Sequence, residues 1–262
     1  MEVYSIVNLK GGVGKTVTAC NLAAILGAYH GLRVLLIDAD AQANATAFFG
    51  CQDAGSTLGD VLAGRCVYWP EFILETEQQN VSVLPADISL LEQDIASVRE
   101  GGADSLKALG DLLAALSDDD AFDVVIFDCP PAFSAASVAA IACSGAVIIP
   151  TKIDAWSISG VEEITRQVEG VRRQIKPDIR VAGILVTMYH NADVQEQGIA
   201  LLHKKHLPVY DHVIRRTDKV DEATFARQPL FQWSRTSSAG RGYMAWAEEF
   251  VEKEGLHGGE EI

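Results

Sequence analysis

Short apolar runs alternate along the chain with longer stretches of helical periodicity. The runs show little polar alternation, which is typical of buried strands in a parallel sheet. Strands are predicted at Val3–Asn8, Arg33–Asp38, Val81–Pro85, Asp123–Asp128, Ala146–Pro150 and Arg180–Thr187. Helices are predicted at Thr16–Tyr29, Leu58–Leu62, Ser105–Leu116, Ala135–Ala142, Gly160–Gln174, Val194–Lys205 and Gly242–Glu254. The order predicts an α/β fold, a mainly parallel twisted sheet with helices on both faces.

No linker or internal repeat interrupts this pattern, so residues 1–256 are expected to form one domain. Residues 257–262 are expected to be a frayed tail. Polar residues stand at the ends of three predicted strands, namely Asn8, Asp38 and Asp128. Ligands of parallel sheets bind at the carboxyl ends of the strands, so these residues are candidates for a site.

Composition narrows the class of protein. The chain has 262 residues, 48% of them hydrophobic and 22% charged, which excludes a disordered or collagen-like protein. Lys+Arg 21 against Asp+Glu 36 gives a net charge of -15, so bulk attraction to nucleic acid or an anionic membrane is excluded. The five cysteines have no C-x-x-C spacing and are expected to be reduced thiols. Without a basic leader or an apolar run of about 20 residues, a cytoplasmic location is expected.

A glycine-rich segment, Leu9 to Thr16, joins the first strand to the first helix and reads L-K-G-G-V-G-K-T. Glycines let the backbone wrap around phosphates, and the helix N-terminus adds a partial positive charge. Lys15 would supply charge to the β- and γ-phosphates, and the Thr16 hydroxyl would ligate Mg²⁺. The predicted nucleotide contacts are Gly11, Gly12, Val13, Gly14, Lys15, Thr16 and Val17. The alternative is a tight glycine-rich turn without a ligand.

The lysine at position 10 gives the pattern x-K-G-G-x-x-K-[ST]. This resembles the deviant phosphate loop of the ParA/MinD family of ATPases, most closely the partition ParA proteins. The resemblance implies a P-loop NTPase fold, ATP and Mg²⁺ as cofactors, and a homodimer that encloses the nucleotide. It also implies that Lys10 contacts the partner's phosphates, where a cation accelerates phosphoryl transfer, so Lys10 and Lys15 are expected to be catalytic. The alternative for Lys10 is a solvated side chain.

The segment from Leu35 to Asn44 resembles the family motif D-x-D-P-Q-x-N, with Ala41 in place of the proline. The resemblance implies that Asp40 positions or deprotonates the attacking water, which a well-placed carboxylate can do. It places Asp38 close to the metal. Either aspartate is alternatively the N-cap of the next helix.

The segment from Val124 to Pro131 resembles the family's second nucleotide motif, an apolar strand followed by D-x-P-P. Asp128 would hold Mg²⁺ through its water shell, because this metal keeps several waters. Cys129 is interpreted as a small apolar residue, since the cysteine spacing does not suit a metal cluster.

Near the C-terminus, Val213 to Lys219 occupies the place of the family's I-P-R-N segment. In the family the proline and asparagine frame the adenine and the arginine contacts DNA. Arg215 replaces the proline and Thr217 replaces the asparagine, and these two are the predicted adenine contacts, while Arg216 keeps the arginine.

DNA binding is supported by local charge rather than by net charge. Between His203 and Arg241, eight basic and four acidic residues give +4, which leaves -19 for the rest of the chain. The predicted DNA contacts are Arg216, Lys219, Lys204 and Lys205. Each contact would steepen the salt dependence by a log–log slope of about 0.9. Ala192 stands where relatives have a second DNA-binding arginine, and a merely solvated basic face is the alternative.

The resemblance implies a Mg-dependent ATP hydrolase, slow and stimulated by a ParB-like adaptor, which binds DNA non-specifically as an ATP-bound dimer. It would partition plasmid, chromosome or mobile-element DNA and associate with the nucleoid. One alternative is a MinD-like membrane ATPase, which the glutamate-rich C-terminal segment disfavours because anionic lipid would repel it. An ATPase that positions a protein cluster and a non-enzymatic nucleotide sensor are further alternatives.

Overall fold

The computed structural model describes residues 1–100 and 103–256, so the predicted tail at 257–262 lies outside the described residues. The strands are β1 Glu2–Ile6, β2 Val34–Asp38, β3 Leu74–Glu75, β4 Val81–Leu84, β5 Val124–Asp128, β6 Ala146–Lys152 and β7 Arg180–Thr187. The helices are α1 Lys15–Tyr29, α2 Asn44–Phe48, α3 Leu58–Leu62, α4 Leu90–Glu100, α5 Ala103–Asp118, α6 Ala135–Cys143, α7 Ser157–Gln174, α8 Asp193–Lys204, α9 Lys219–Phe225, α10 Leu230–Ser234 and α11 Ser238–Glu254. A 3₁₀ helix covers Trp69–Glu71.

The strands form one seven-stranded sheet in the order β3-β4-β2-β5-β1-β6-β7. All neighbours are parallel except β3, which runs antiparallel to β4. The predicted α/β architecture with a mainly parallel sheet is therefore confirmed. In register, Ile6 of β1 and Asp38 of β2 both lie beside Asp128 of β5. The ends of the three central strands thus meet at one edge.

Both faces of the sheet are covered by apolar contacts. Along β5, Val125 and Phe127 belong to the cluster that includes α5, α6 and α7, while Val124 and Ile126 belong to the cluster that includes α1 and α11. Successive side chains of a strand point to opposite faces, so a strand buried on both sides is apolar throughout. This explains why the central strands show no polar alternation.

Candidate nucleotide site

The loop between β1 and α1 has the backbone of an anion cradle. Gly12 and Gly14 adopt positive φ angles of 69° and 87°, a conformation that glycine reaches without a Cβ clash. A Cβ built on Gly12 would meet no heavy atom within 4 Å, so the loop is open on that side. Val13 is buried, and its carbonyl oxygen accepts a hydrogen bond of 2.8 Å from the Thr187 hydroxyl at the end of β7. The loop is thereby fixed to the sheet.

The backbone N–H groups of residues 11–16 have no acceptor within the described chain. Several adjacent donors in one turn, at the positive end of the α1 dipole, attract a polyanion. Lys15 lies among them and is only 7% exposed. Its Nζ donates to the Lys10 carbonyl oxygen at 3.2 Å. Burial lowers the pKa of Lys15, while Asp128 and Asp40 raise it, so an anion at this place would stabilise the charged form.

Asp38 is engaged by the protein itself. Its Oδ2 accepts hydrogen bonds of 2.8 Å from both the backbone N–H and the hydroxyl of Thr46, and its Oδ1 accepts from the Asp40 N–H at 3.1 Å. Burial raises the pKa of Asp38 to about 6, and the Thr46 and Asp40 hydrogen bonds oppose this. Asp38 therefore holds the loop between β2 and α2. It is not the N-cap of α2, a position that Ala43 occupies.

Asp128 lies beside Asp38 where β2 pairs with β5, but its carboxylate is not engaged by the protein in the way that Asp38 is. Across the described residues, neither of its buried carboxylate oxygens has a hydrogen-bond partner. Burial and then Asp38 raise the pKa of Asp128, whereas Thr16 and Lys15 lower it. A buried carboxylate without partners costs free energy unless it meets a cation or water. With the Thr16 hydroxyl it forms an oxygen donor set that fits Mg²⁺.

Asp40 lies nearer to solvent than Asp38 and is half-buried. Its Oδ1 accepts a hydrogen bond of 2.9 Å from the Gln42 N–H, which shapes the turn before α2. Asp40 is not the N-cap of α2 either. The negative charge of Asp40 raises the pKa of both Lys15 and Asp128.

Lys10 begins the loop, and its side chain reaches Asp154 beyond the end of β6. Its backbone N–H donates to Asn8 Oδ1 at 2.9 Å, and Asn8 Nδ2 donates to the Pro150 carbonyl oxygen at 2.7 Å. The Lys10 ammonium forms an ion pair with Asp154, which follows β6. Within this chain the charge of Lys10 is therefore held by a carboxylate.

Of the predicted adenine contacts, Arg215 is held to the β7–α8 connection. Its Nη1 donates to Asn191 Oδ1 at 3.0 Å, and its guanidinium lies 5.5 Å from the centre of the Tyr189 ring. The Thr217 hydroxyl accepts from the Lys219 N–H at 3.3 Å, just before α9. These contacts fix the segment without involving the phosphate loop.

Of the predicted DNA contacts, Arg216 lies near the start of α8, Lys204 and Lys205 lie at its end, and Lys219 begins α9. Arg216 is exposed, and its backbone N–H donates to Tyr189 near the start of α8. Lys204 and Lys205 lie at the other end, about 17 Å away at 1.5 Å per residue. Lys205 pairs with Glu162 at 2.6 Å and Lys219 with Glu222 at 2.7 Å. The structure thus divides the predicted basic face into two parts.

Sequence reasoning missed three residues of the site. Thr46 holds Asp38, Thr187 holds Val13, and Asp154 holds Lys10. Asp154 and Thr187 follow or end a strand at the same edge as Asp128, which is the signal that would have suggested them. Thr46 gives no such signal, because it lies inside a short helix.

The described residues give little support to a metal cluster, a reactive cysteine or a membrane-spanning helix. In the described ranges no group of three or more His, Cys, Asp and Glu residues is arranged to hold a metal ion. All five cysteines are free, and burial raises the pKa of the Cys129 thiol, as for a small core residue. The described helices include none with the length and apolarity to span a bilayer.

The glycine-rich loop between β1 and α1, with Lys15 and Asp128 beside it, defines a P-loop nucleotide-binding protein. A protein-family model described as an AAA domain matches residues 1–181. The chain is 32% identical over 260 residues to the chromosome partitioning protein ParA of Caulobacter vibrioides, covering 97% of this chain and 95% of the relative. The chain therefore belongs to the ParA/MinD family of ATPases.

Solved structures show the same fold over nearly the whole chain. Cobyrinic acid a,c-diamide synthase from Mycobacterium smegmatis, with a bound ATP analogue and magnesium, has a TM-score of 0.81 and 27% identity, and the match covers 98% of this chain and 97% of that one. The cell division ATPase MinD of Pyrococcus furiosus has a TM-score of 0.78 and 25% identity, with 97% and 99% covered.

Proposed function

We propose that this protein is a ParA-type ATPase that binds ATP, closes as a homodimer over it, and partitions DNA as that dimer. Residues 1–256 would act as one cytoplasmic domain. The proposal rests on three features found together: N–H groups at residues 11–16 and an Asp128 carboxylate that have no partner among the described residues, and a buried Lys15. Donors, a cation and a metal-binding carboxylate are what a Mg-nucleoside triphosphate requires.

In this proposal each group of residues at the site has a separate role. The loop N–H groups and Lys15 bind and orient the phosphates. Mg²⁺, held through Thr16 and Asp128 with Asp38 close by, would neutralise phosphate charge when bound. Asp40 would hold the attacking water and accept its proton, because its carboxylate lies on the open side of the site. Lys10 would leave Asp154 and stabilise charge on the partner's nucleotide.

Slow hydrolysis would then switch the protein from dimer to monomer. When the γ-phosphate leaves, the two subunits lose the group that joins them. Arg216, Lys219, Lys204 and Lys205 would contact the DNA backbone without reading sequence, which would bring the ATP-bound dimer to the nucleoid. A ParB-like adaptor would stimulate turnover. The similarity to ParA of Caulobacter vibrioides along 97% of the chain supports this reading over a membrane-surface role.

Three variants test the proposal, because each removes a different step. Lys15→Ala is expected to lose ATP binding in calorimetry. Lys10→Ala is expected to bind ATP but remain monomeric in analytical ultracentrifugation, and Asp40→Ala to dimerise without releasing phosphate. A wild-type protein that binds ATP and stays monomeric, or a dimer that fails to retain non-specific DNA at low salt, would overturn the partition function.

A further inference from the structure

A cavity of about 550 Å³ lies between α5 and the segment that follows α3. One wall is a single face of α5, with lining residues spaced three or four apart, and the other is the chain from Val61 to Trp69. None of its described lining residues belongs to the phosphate loop or to the segments around Asp38 and Asp128. The cavity is therefore separate from the nucleotide site.

Small residues open the helix side of this cavity. Ala108 and Ala115 lie on the lining face of α5, where larger side chains would fill the space. On the opposite wall, Trp69 is held in place because its Nε1 donates to Asp119 Oδ2 at 2.8 Å and its ring packs edge-on against Phe122. The wall is thus an ordered aromatic surface.

Apolar side chains also project at the cavity mouth. Val67 is 95% exposed and Tyr68 is 61% exposed. Both line the cavity, next to Trp69. Adjacent exposed apolar side chains beside a concave surface are typical of a docking site.

The charge of the cavity is negative. Asp104, Asp111 and Asp119 line it, against one lysine, Lys107. Lys107 pairs with Asp111 at 2.6 Å, and both side chains are mostly exposed. A guanidinium or ammonium between these carboxylates and the rings of Tyr68 and Trp69 would gain both ion pairing and cation–π contact.

Asp104 and Asp111 lie seven residues apart on one face of α5, about 10 Å at 1.5 Å per residue, and Asp119 follows the end of the helix. This length exceeds that of a small cation and suits a peptide segment with basic residues about two helical turns apart. We propose that the groove between α5 and the Val61–Trp69 segment docks a basic, amphipathic segment of a partner protein, which inserts an apolar residue against Trp69 and places arginine or lysine on Asp104 and Asp111.

The test uses the full chain and a synthetic peptide in which two arginines are separated by two helical turns of leucine and alanine. Binding is followed by amide chemical shifts along α5 and by the Trp69 indole signal. The same peptide with glutamates in place of the arginines is not expected to bind. Spermidine, which has charge but no apolar groups, is expected to bind at least tenfold more weakly, on the order of the loss of apolar burial.

Single substitutions locate the contact. Asp111→Asn is expected to weaken peptide binding by about fivefold, the upper range for an exposed ion pair, while Asp118→Asn, an exposed aspartate of α5 outside the cavity lining, leaves it unchanged. Lys107→Gln removes the competitor for Asp111 and is expected to strengthen binding up to about fivefold. Ala108→Leu narrows the groove and is expected to weaken binding.

Equal binding of the glutamate peptide, equal binding of spermidine, or shifts confined to residues outside α5 and the Val61–Trp69 segment would each overturn the proposal. ATP binding by the same variants stays unchanged in every case, since the groove shares no described residue with the nucleotide site. Failure of the peptide to bind would therefore leave the proposed ATPase function unaffected, and loss of ATP binding would leave the groove unaffected.

Discussion

Lys10 and Asp154 form an ion pair between the phosphate loop and the end of β6. The same carboxylate accepts a hydrogen bond of 3.1 Å from the Trp156 N–H through its other oxygen, at the start of α7. In the proposed dimer, Lys10 would have to break this pair before its charge could reach the other subunit. If the proposed dimer forms, the pair would favour the monomer by the free energy that the ion pair contributes.

Replacing Asp154 with asparagine should shift the ATP-dependent equilibrium toward the dimer. The asparagine keeps the oxygen that accepts from Trp156 but loses the charge that holds Lys10. An exposed pair contributes up to about 1 kcal/mol, so the dimerisation constant should rise by up to about fivefold. Sedimentation equilibrium with ATP measures it, and the control is Glu163→Gln, which removes a carboxylate of α7 that pairs with Arg166 instead of Lys10. A weaker dimer in Asp154→Asn would show that the carboxylate serves the dimer instead.

Gly12→Ala and Gly31→Ala form a matched pair for the phosphate loop. Both glycines have positive φ, 69° and 65°, and at neither would a Cβ meet an atom within 4 Å. Each substitution should therefore cost about 1 kcal/mol of unfolding free energy through backbone strain alone. Only Gly12→Ala should lose ATP affinity, because its methyl group lies where a phosphate would approach. Thermal denaturation and calorimetry separate the effects, and equal ATP binding by both variants would contradict the assignment.

Thr46 joins two parts of the core that sequence analysis did not connect. Its hydroxyl donates to Asp38 and accepts from the Ala86 N–H at 2.9 Å. Thr46→Val should reduce the free energy of unfolding by about 1–3 kcal/mol, because two buried polar groups lose a partner. Thr46→Ser should recover most of this loss in urea unfolding. A valine variant as stable as the wild type would mean that water replaces the hydroxyl.

The acid stability of the sheet should depend on Asp123. Arg33 donates to it through Nη2 at 2.7 Å and through its backbone N–H at 2.7 Å, and these hydrogen bonds from Arg33 hold the pKa of Asp123 below its usual range. Because the folded pKa is lowered, the stabilisation is complete above about pH 4 and disappears as the pH falls through the folded pKa. The pair is partly exposed, so the contribution is about 1 kcal/mol.

Asp123→Asn should therefore unfold more easily at neutral pH and show a shallower loss of stability below pH 4. Urea melts between about pH 2 and pH 7 measure this. Asp178→Asn, at an exposed position, is the control and should follow the wild-type curve. If the free energy of unfolding fell with decreasing pH by the same amount in Asp123→Asn and in the wild type, the acid sensitivity would not come from Asp123.

The two ends of α8 should be distinguishable in DNA binding. Arg216→Ala should lower the salt-dependence slope of the ATP-bound dimer by about 0.9 per subunit contact, because one phosphate contact is lost. Lys204→Ala tests the opposite end in the same way. Arg173→Ala, an exposed arginine of α7, should leave the slope unchanged. If Arg173→Ala and Arg216→Ala reduce the slope equally, binding is diffuse and has no defined face.

The sheet could be predicted well because its strands are apolar throughout and end in polar residues. β2 and β5 were found within one residue of their observed starts and end at Asp38 and Asp128 as predicted. β3 was missed because two residues give no periodicity. Helices α2, α9 and α10 were missed and have five to seven residues, a length at which a helical pattern rarely stands out, although the equally short α3 was predicted. The eleven-residue α4 was also missed.

The site was predicted to the extent that its residues are adjacent in sequence. The loop from Gly11 to Thr16 lies where the spacing placed it, between β1 and α1. Contacts between distant segments could not be predicted, such as Asp38 with Thr46 or Lys10 with Asp154, because they depend on how loops fold back at the sheet edge. For the same reason, the local charge count could not show that the basic residues divide between the ends of α8.

As far as the described residues show, neither edge of the sheet offers a strand with which another chain could pair. At one side, β3 has only two residues and runs against its neighbour. At the other, Pro208 and Tyr210 take the hydrogen bonds of Ile184 in β7. Copies of the chain at high local concentration are thus protected from pairing edge to edge through their backbones, which is the usual first step of strand-mediated aggregation.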